Sequence, residues 1–117
     1  DLEYIIMLLN GLVLEQLFAL DFINEERYAI AFVNDKFRFN KWGKVKIEYA
    51  LRMKKIPSDT IAKALDGVDE EVYLQTLKKL LLAKQKTVKG TAAQQRAAVI
   101  RFALSRGFEY ACIERCL

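Results

Sequence analysis

Ile47-Glu48-Tyr49-Ala50-Leu51 is repeated 53 residues later as Ile100-Arg101-Phe102-Ala103-Leu104. Each copy is followed by a break and then by an Ile-x-x-x-Leu pair, which is the spacing of one helix face. The breaks are Ile56-Pro57 and Gly107-Phe108, and the pairs are Ile61/Leu65 and Ile113/Leu117. A helical segment that recurs with the same break and the same following helix predicts an internal repeat.

The repeat also extends upstream of these two segments. Ile23-Asn24-Glu25-Glu26-Arg27-Tyr28 is echoed by Val68-Asp69-Glu70-Glu71-Val72-Tyr73 at an offset of 45. Each unit then holds a long, a medium and a short helix, which predicts an all-α fold of tandem three-helix repeats in a curved, elongated array. We predict an incomplete first repeat of two short helices at residues 1–22, a second repeat at 23–67 and a third at 68–117, joined in one continuous domain.

Local start and stop signals place the helices within these repeats. Asn24, followed by two glutamates, is a typical N-cap, and the long helix that starts there is expected to end near Trp42-Gly43. Pro57-Ser58-Asp59 is expected to break the chain and cap the short helix. Further helices are expected from Asp69, over Ala92–Ser105 and over Glu109–Leu117. With one proline and five glycines in 117 residues, no strand pattern competes.

The apolar stretch from Tyr4 to Leu20 resembles a signal peptide or a membrane span at first sight. Asp1 and Glu3 stand where a signal peptide carries positive charge, and polar residues around Asn10-Gly11 interrupt the apolar run. We therefore interpret it as two short buried helices. The sequence predicts a cytoplasmic monomer without a membrane segment.

Charge alternates along the chain with the same rhythm as the repeats. Residues 34–55 and 78–106 each hold eight Lys or Arg, with net charges of +6 and +8, whereas residues 1–33 and 56–77 are acidic. Lys44, Glu48 and Arg52 are spaced to pair with one another, but the few acids cannot neutralise both basic blocks. The pattern predicts a surface for an acidic partner, either nucleic acid or an acidic protein face. The candidate contact residues are Arg38, Lys41, Lys44, Lys46, Arg52, Lys54, Lys84, Lys86, Arg101 and Arg106.

Catalytic, metal and cofactor sites find little support in the sequence. Histidine is absent, and the two cysteines, Cys112 and Cys116, are too few for a structural zinc site and are interpreted as reduced core thiols. The acid pairs Glu25/Glu26 and Glu70/Glu71 fall in the first turns of helices, where they match the helix dipole. No glycine-rich phosphate motif is present. We therefore predict a protein that is not an enzyme, with no metal and no cofactor.

Four residues are predicted to form the junctions between repeats. Trp42 and Gly43 stand at one helix break, and Phe102 and Gly107 stand at the equivalent place in the next repeat. An indole at such a junction is more often core than a platform for a base. A helix-turn-helix that reads DNA sequence is disfavoured, because the short helix after Pro57 offers two Asp and one Lys to the groove.

Three segments carry a resemblance to the RecX family of regulators of the recombinase RecA. Phe22-Ile23-Asn24-Glu25-Glu26-Arg27-Tyr28-Ala29, followed by Ala31-Phe32-Val33, resembles a family block, as does Lys41-Trp42-Gly43 followed by Lys46-Ile47 and Leu51. Ile100-Arg101-Phe102, with Ser105-Arg106-Gly107-Phe108 and Ile113, resembles the family's C-terminal block. The three blocks stand in the family's order and spacing, and the resemblance as a whole runs from about Leu12 to Leu117.

The resemblance implies a non-catalytic modulator built of three-helix repeats. Such a protein is expected to bind in the groove of RecA filaments on DNA and to restrain ATPase, coprotease and strand-exchange activity in DNA repair, recombination and the SOS response. Its basic face would meet RecA and, without sequence preference, DNA phosphates. Two alternatives stay open: a helical protein that binds nucleic acid non-specifically without RecA, and an adaptor for another acidic protein.

Overall fold

The computed structural model describes residues 25–117, which form an elongated arrangement of six helices. The helices are α1 (Glu25–Arg38), α2 (Lys44–Met53), α3 (Ser58–Asp66), α4 (Glu70–Gln85), α5 (Ala92–Ser105) and α6 (Tyr110–Cys116). This part of the chain contains no strand, so the predicted all-α class is confirmed. The two short helices expected within residues 1–22, and the N-cap at Asn24, lie outside the described residues.

The helices pack in two sets of three along the chain. α1 packs against α2 and α3, while α4 packs against α5 and α6. Each set buries apolar side chains of all three helices, and the two groups of buried residues join in one core. Fully buried members of this core include Ile47, Leu51 and Ile61 in the first set and Leu77 and Ile113 in the second. The arrangement fits two three-helix repeats, although the exact boundaries at 23–67 and 68–117 stay predictions.

Helix α1 ends earlier than its sequence suggests. We expected it to reach Trp42-Gly43, but the helix stops at Arg38 and a turn follows. Lys41 adopts a φ of 57°, a left-handed conformation that ordinary residues seldom take. Its ammonium group donates a 2.6 Å hydrogen bond to the carbonyl oxygen of Arg38, one of the acceptors left free at the helix end. The aromatic residues after Arg38 extend the apolar pattern without extending the helix.

In the structure, equivalent positions of the two helix sets lie 52 residues apart in their second and third helices. The offset of 53 predicted from the segments Ile47–Leu51 and Ile100–Leu104 is therefore wrong by one residue. Ile56 N–H bonds to Leu51 O just as Phe108 N–H bonds to Ala103 O. Between them, Lys55 and Gly107 both have positive φ, at 64° and 94°. The buried residues of α2 and α5, Ile47 with Leu51 and Val99 with Ala103, fit the same offset.

The helix N-termini are capped in two different ways. In α4 the side chain of Asp69 accepts from Val72 N–H, and in α5 Thr91 and Gln94 form a reciprocal capping box. The N-caps of α2 and α3 are Gly43 and Pro57, and neither makes a side-chain cap hydrogen bond. The cap expected from the side chains after Pro57 is therefore not formed. Among residues 25–117, no helix is both long and apolar enough to cross a membrane.

Candidate interface across the junction of the two helix sets

The N-terminus of α2 is satisfied by the second set of helices rather than by its own side chains. Gly43 N–H donates to Arg106 O at 2.8 Å, and Val45 N–H donates to Gly107 O at 2.9 Å. Between them, Lys44 N–H donates to the hydroxyl oxygen of Tyr73 at 2.9 Å. The first N–H groups of a helix have no partner within that helix. The start of α2 therefore sits on the end of α5, so the positive end of one helix dipole meets the negative end of the other.

This close approach of two backbones requires glycine on both sides. A Cβ added to Gly43 would lie well under 3.0 Å from the backbone carbon and oxygen of Gly107. A Cβ on Gly107 would meet Lys46 in the same way, and its φ of 94° already favours glycine. The two glycines predicted to form a junction are thus in direct contact.

Three aromatic rings from the two helix sets, those of Phe37, Tyr73 and Phe108, pack against one another at the junction. The Tyr73 ring stands 5.6 Å from Phe37 of α1 and 5.2 Å from Phe108, measured between centroids. Its hydroxyl group donates to Glu109, and burial together with this carboxylate raises the pKa of Tyr73 well above its usual value. In the sequence, Tyr73 stands out only as the last residue of the repeated segment Val68-Asp69-Glu70-Glu71-Val72-Tyr73. Its role at the junction depends on a tertiary contact with α2 that no local pattern reveals.

Trp42 lies half-buried beside the junction, packed against the core and flanked by two lysines. The ammonium nitrogens of Lys36 and Lys46 stand 5.2 Å and 4.6 Å from the indole centroid. Cations at such distances are attracted by the ring's quadrupole. One portion of the indole packs on the core and another faces solvent, and its role in joining the repeats stays a prediction. Lys36 was not among the candidate contact residues, and its position in the last turn of α1 is what brings it to the indole.

Phe102 has the same arrangement on the other side of the junction. It is half-buried, with Lys84 Nζ at 5.1 Å and Arg106 Cζ at 5.2 Å from its ring centroid. Arg106 is also the residue whose carbonyl oxygen accepts from Gly43. The two aromatic–cation clusters therefore lie on either side of one backbone contact. We call these six residues the junction strip: Lys36, Trp42, Lys46, Lys84, Phe102 and Arg106.

Most cations of the junction strip have no carboxylate partner. Within residues 25–117, the ion pairs join Lys36 to Asp35, Arg52 to Glu48, Arg96 to Glu114 and Arg115 to Glu70. Lys46, Lys84 and Arg106 belong to none of these pairs. Their side chains contact aromatic rings, and these contacts orient the charged groups while leaving them able to bind another molecule. Three oriented cations on both sides of one junction form a surface suited to carboxylates or phosphates.

The other candidate contact residues fall into two groups. Lys41 caps the end of α1, Lys44 lies 4.9 Å from the Tyr73 centroid, and Arg52 pairs with Glu48 at 2.7 Å, so these three already serve the fold. The remaining residues of the prediction extend the positive surface: Arg38, Lys86 and Arg101 are exposed, and Lys54 is half-buried. Which of them touch a partner stays a prediction.

The structure also places the acids and the cysteines that the sequence analysis considered. Glu25, Glu26, Glu70 and Glu71 are exposed in first turns, as expected for acids that match the helix dipole. The two cysteines are free and half-buried. Between residues 25 and 117, no group of three or more acids, cysteines or histidines is placed to hold a metal ion.

Comparison with known proteins gives matches to RecX proteins. The family model for RecX, second three-helix domain, matches residues 24–65. The regulatory protein RecX of Clostridium perfringens strain 13 is 32% identical over 96 residues, which cover 77% of this chain and 43% of the relative. The same protein from strain SM101 matches with the same identity and coverage. The chain therefore spans less than half the length of these relatives. No solved structure matches.

Proposed function

The chain belongs to the RecX family of regulatory proteins, and we propose that it acts without catalysis by binding RecA filaments and restraining their activity. RecA as the partner, and the groove of its filament as the binding place, are what the family resemblance implies. ATPase, coprotease and strand-exchange activities are the ones that such binding would restrain during DNA repair and recombination. We further propose a cytoplasmic monomer of consecutive three-helix repeats.

One observation carries this proposal. Lys46, Lys84 and Arg106 lie on both sides of the junction, each oriented by an aromatic ring and none paired with a carboxylate of residues 25–117. A filament on DNA presents an extended series of phosphates, and acidic side chains of RecA are the second expected source of negative charge. An elongated protein with cations at its centre suits such a partner better than it suits a small ligand, which needs a concave pocket.

The test is binding to RecA filaments assembled on single-stranded DNA with a non-hydrolysable ATP analogue. The variant Lys46→Glu/Lys84→Glu/Arg106→Glu is expected to lose at least tenfold in affinity at about 0.15 M salt, where exposed charges further apart than about 8 Å are screened. Inhibition of the RecA ATPase should weaken in parallel. Each lost contact to a phosphate should also lower the salt slope of binding by about one.

A charge-matched control separates a site from general attraction. Lys63→Glu/Lys78→Glu/Lys79→Glu changes the net charge by the same amount, at three exposed residues outside the junction strip. It is expected to bind filaments nearly as the parent does, and circular dichroism should show both triple variants folded. Equal loss in the two variants would mean that only net charge matters. Parental binding by the junction variant would refute the proposal.

The second candidate, nucleic-acid binding without RecA, is favoured by the combination of aromatic rings and cations, which is typical of proteins that bind single strands. Against it, the cations lie 4.6–5.2 Å from the Trp42 and Phe102 centroids, where they compete with a stacking base. Naked DNA in the same assay decides between the two. Binding to DNA alone that equals binding to filaments would support this alternative.

A further inference from the structure

Helix α2 carries a line of apolar side chains that faces solvent. Val45, Tyr49 and Met53 follow one another at intervals of four residues, and they are 51%, 66% and 67% exposed. Residues four apart lie above one another on a helix, so the three form one continuous stripe. Single exposed apolar residues are ordinary, but three adjacent ones form a patch of the kind that marks contact surfaces. We call these three residues the α2 stripe.

The fold does not require this stripe. At the structural offset of 52, its counterparts on α5 are Ala97, Arg101 and Ser105, which are small or polar and also exposed. The same helix, in the same place within its set of three, is therefore stable with a polar outer face. The stripe is particular to α2, and its side chains contribute little to the core.

Charge on the two edges of the stripe indicates what it would bind. Lys46 and Arg52 flank Tyr49 at roughly 60° on either side of the helix, from 100° per residue. On the Arg52 side, Glu48 pairs with that arginine, and the groove between α2 and α3 is lined by Glu48, Asp66 and Glu109 together with Lys44. On the Lys46 side stands Trp42, with the ammonium groups of Lys46 and Lys36 over its ring. The stripe thus has one edge of mixed charge and one basic edge.

We propose that the α2 stripe is a docking surface for an amphipathic helix of a partner protein, with apolar anchors at helical spacing and carboxylates on the edge that meets Lys46. Phosphates would pair with the cations but leave the stripe exposed, whereas a partner helix with apolar anchors would also bury the stripe. The inference deepens the proposed function, on which it rests, because it gives the regulator a protein contact separate in chemistry from its attraction to phosphates.

The test uses the variant Val45→Ser/Tyr49→Ser/Met53→Ser and two probes. The first probe is the RecA filament on single-stranded DNA, for which affinity is expected to fall at least tenfold with an unchanged salt slope, since no cation is lost. The second is a synthetic 20-residue helical peptide with leucines on one face and glutamates along one edge. Its binding is followed by the fluorescence of Trp42, the single tryptophan of the chain, and is expected to vanish in the variant.

Controls make each outcome decisive. Val72→Ser/Leu82→Ser/Leu104→Ser replaces residues of similar exposure, 49%, 51% and 45%, on other helices, and it should bind both probes as the parent does. A peptide with lysines in place of glutamates should bind more weakly. If the parent ignores filaments but binds the acidic peptide through the stripe, the proposed function fails and the docking surface stands. Parental binding of both probes by the stripe variant overturns the docking surface alone. If the parent binds the lysine peptide as tightly as the glutamate peptide, the partner is not acidic. If sedimentation velocity shows a parent dimer that the stripe variant abolishes, the stripe binds a second copy of the chain instead of an acidic partner.

Discussion

Replacing Gly43 with alanine is expected to destabilise the protein by about 3–5 kcal/mol, although the residue is neither charged nor apolar. Its φ of −78° suits alanine, so the backbone conformation adds no penalty. The penalty comes from the new Cβ, which would press on the backbone of Gly107 and Phe108, where no side chain can rotate away. The start of α2 and the end of α5 would have to separate.

The magnitude follows from what separation breaks. Two backbone hydrogen bonds, from Gly43 to Arg106 and from Val45 to Gly107, are worth about 1 kcal/mol each. Forcing a methyl group into a close-packed contact costs about 1–3 kcal/mol more. The sum is a large part of the 5–15 kcal/mol, roughly, that stabilises a domain of this size.

Urea denaturation followed by circular dichroism measures the effect, and Gly67→Ala is the matched control. Gly67 has a φ of −71°, and a Cβ there would lie 3.4 Å from Ala64 O, an ordinary contact. Alanine at this position should leave stability unchanged or raise it by about 0.4–1 kcal/mol. If Gly43→Ala unfolds at the same urea concentration as Gly67→Ala, the close junction inferred between α2 and α5 is wrong.

Three further predictions concern single side chains. Tyr73→Phe removes the hydroxyl group that bonds to both Lys44 and Glu109, and it should lower the free energy of unfolding by about 1–3 kcal/mol in urea melts. Because folding raises the pKa of Tyr73, the parent should also lose stability as the pH rises above about 10, and the variant should lose less. Trp42→Ala should cost about 1.5–2.5 kcal/mol, roughly half the value for a buried indole, and a cost above 4 kcal/mol would mean that the ring is fully buried. Burial and the nearby Glu109 raise the pKa of the Cys112 thiol, so iodoacetamide at pH 8 should alkylate it more slowly in the native protein than in urea; equal rates would contradict this.

Between residues 25 and 117 the sequence was sufficient for the order of the helices and for a repeat, because both follow from local spacing and break residues, but it placed the end of α1 too late. It gave the wrong register between α2 and α5, since Ile100 and Leu104 imitate Ile47 and Leu51 while Val99 and Ala103 take the buried places. Apolar residues next to each other on a helix make such a one-residue slip easy. Burial against neighbouring helices, which the sequence does not state, decides the register.

The candidate site was predictable in composition but not in arrangement. Charge counting found both basic blocks but could not distinguish Lys41 and Lys44 from Lys46. In the structure, Lys41 caps the end of α1 and Lys44 lies over the Tyr73 ring. The contact between the two predicted junctions could not be foreseen, because its hydrogen bonds join backbone groups that every residue possesses. Only the two glycines gave a sequence signal, since close backbone contact excludes a Cβ.

The way α2 is capped has a consequence for synthesis on the ribosome. Helices α4 and α5 carry their own side-chain caps, whereas α2 borrows Arg106, Gly107 and Tyr73. The N-terminal set of helices therefore leaves the ribosome before its partner exists. At about 5–20 residues per second, the 50 residues from 68 to 117 take roughly 3–10 s to translate. For that time the first N–H groups of α2 lack these acceptors, whereas the caps of α4 and α5 come from side chains next to their own helices.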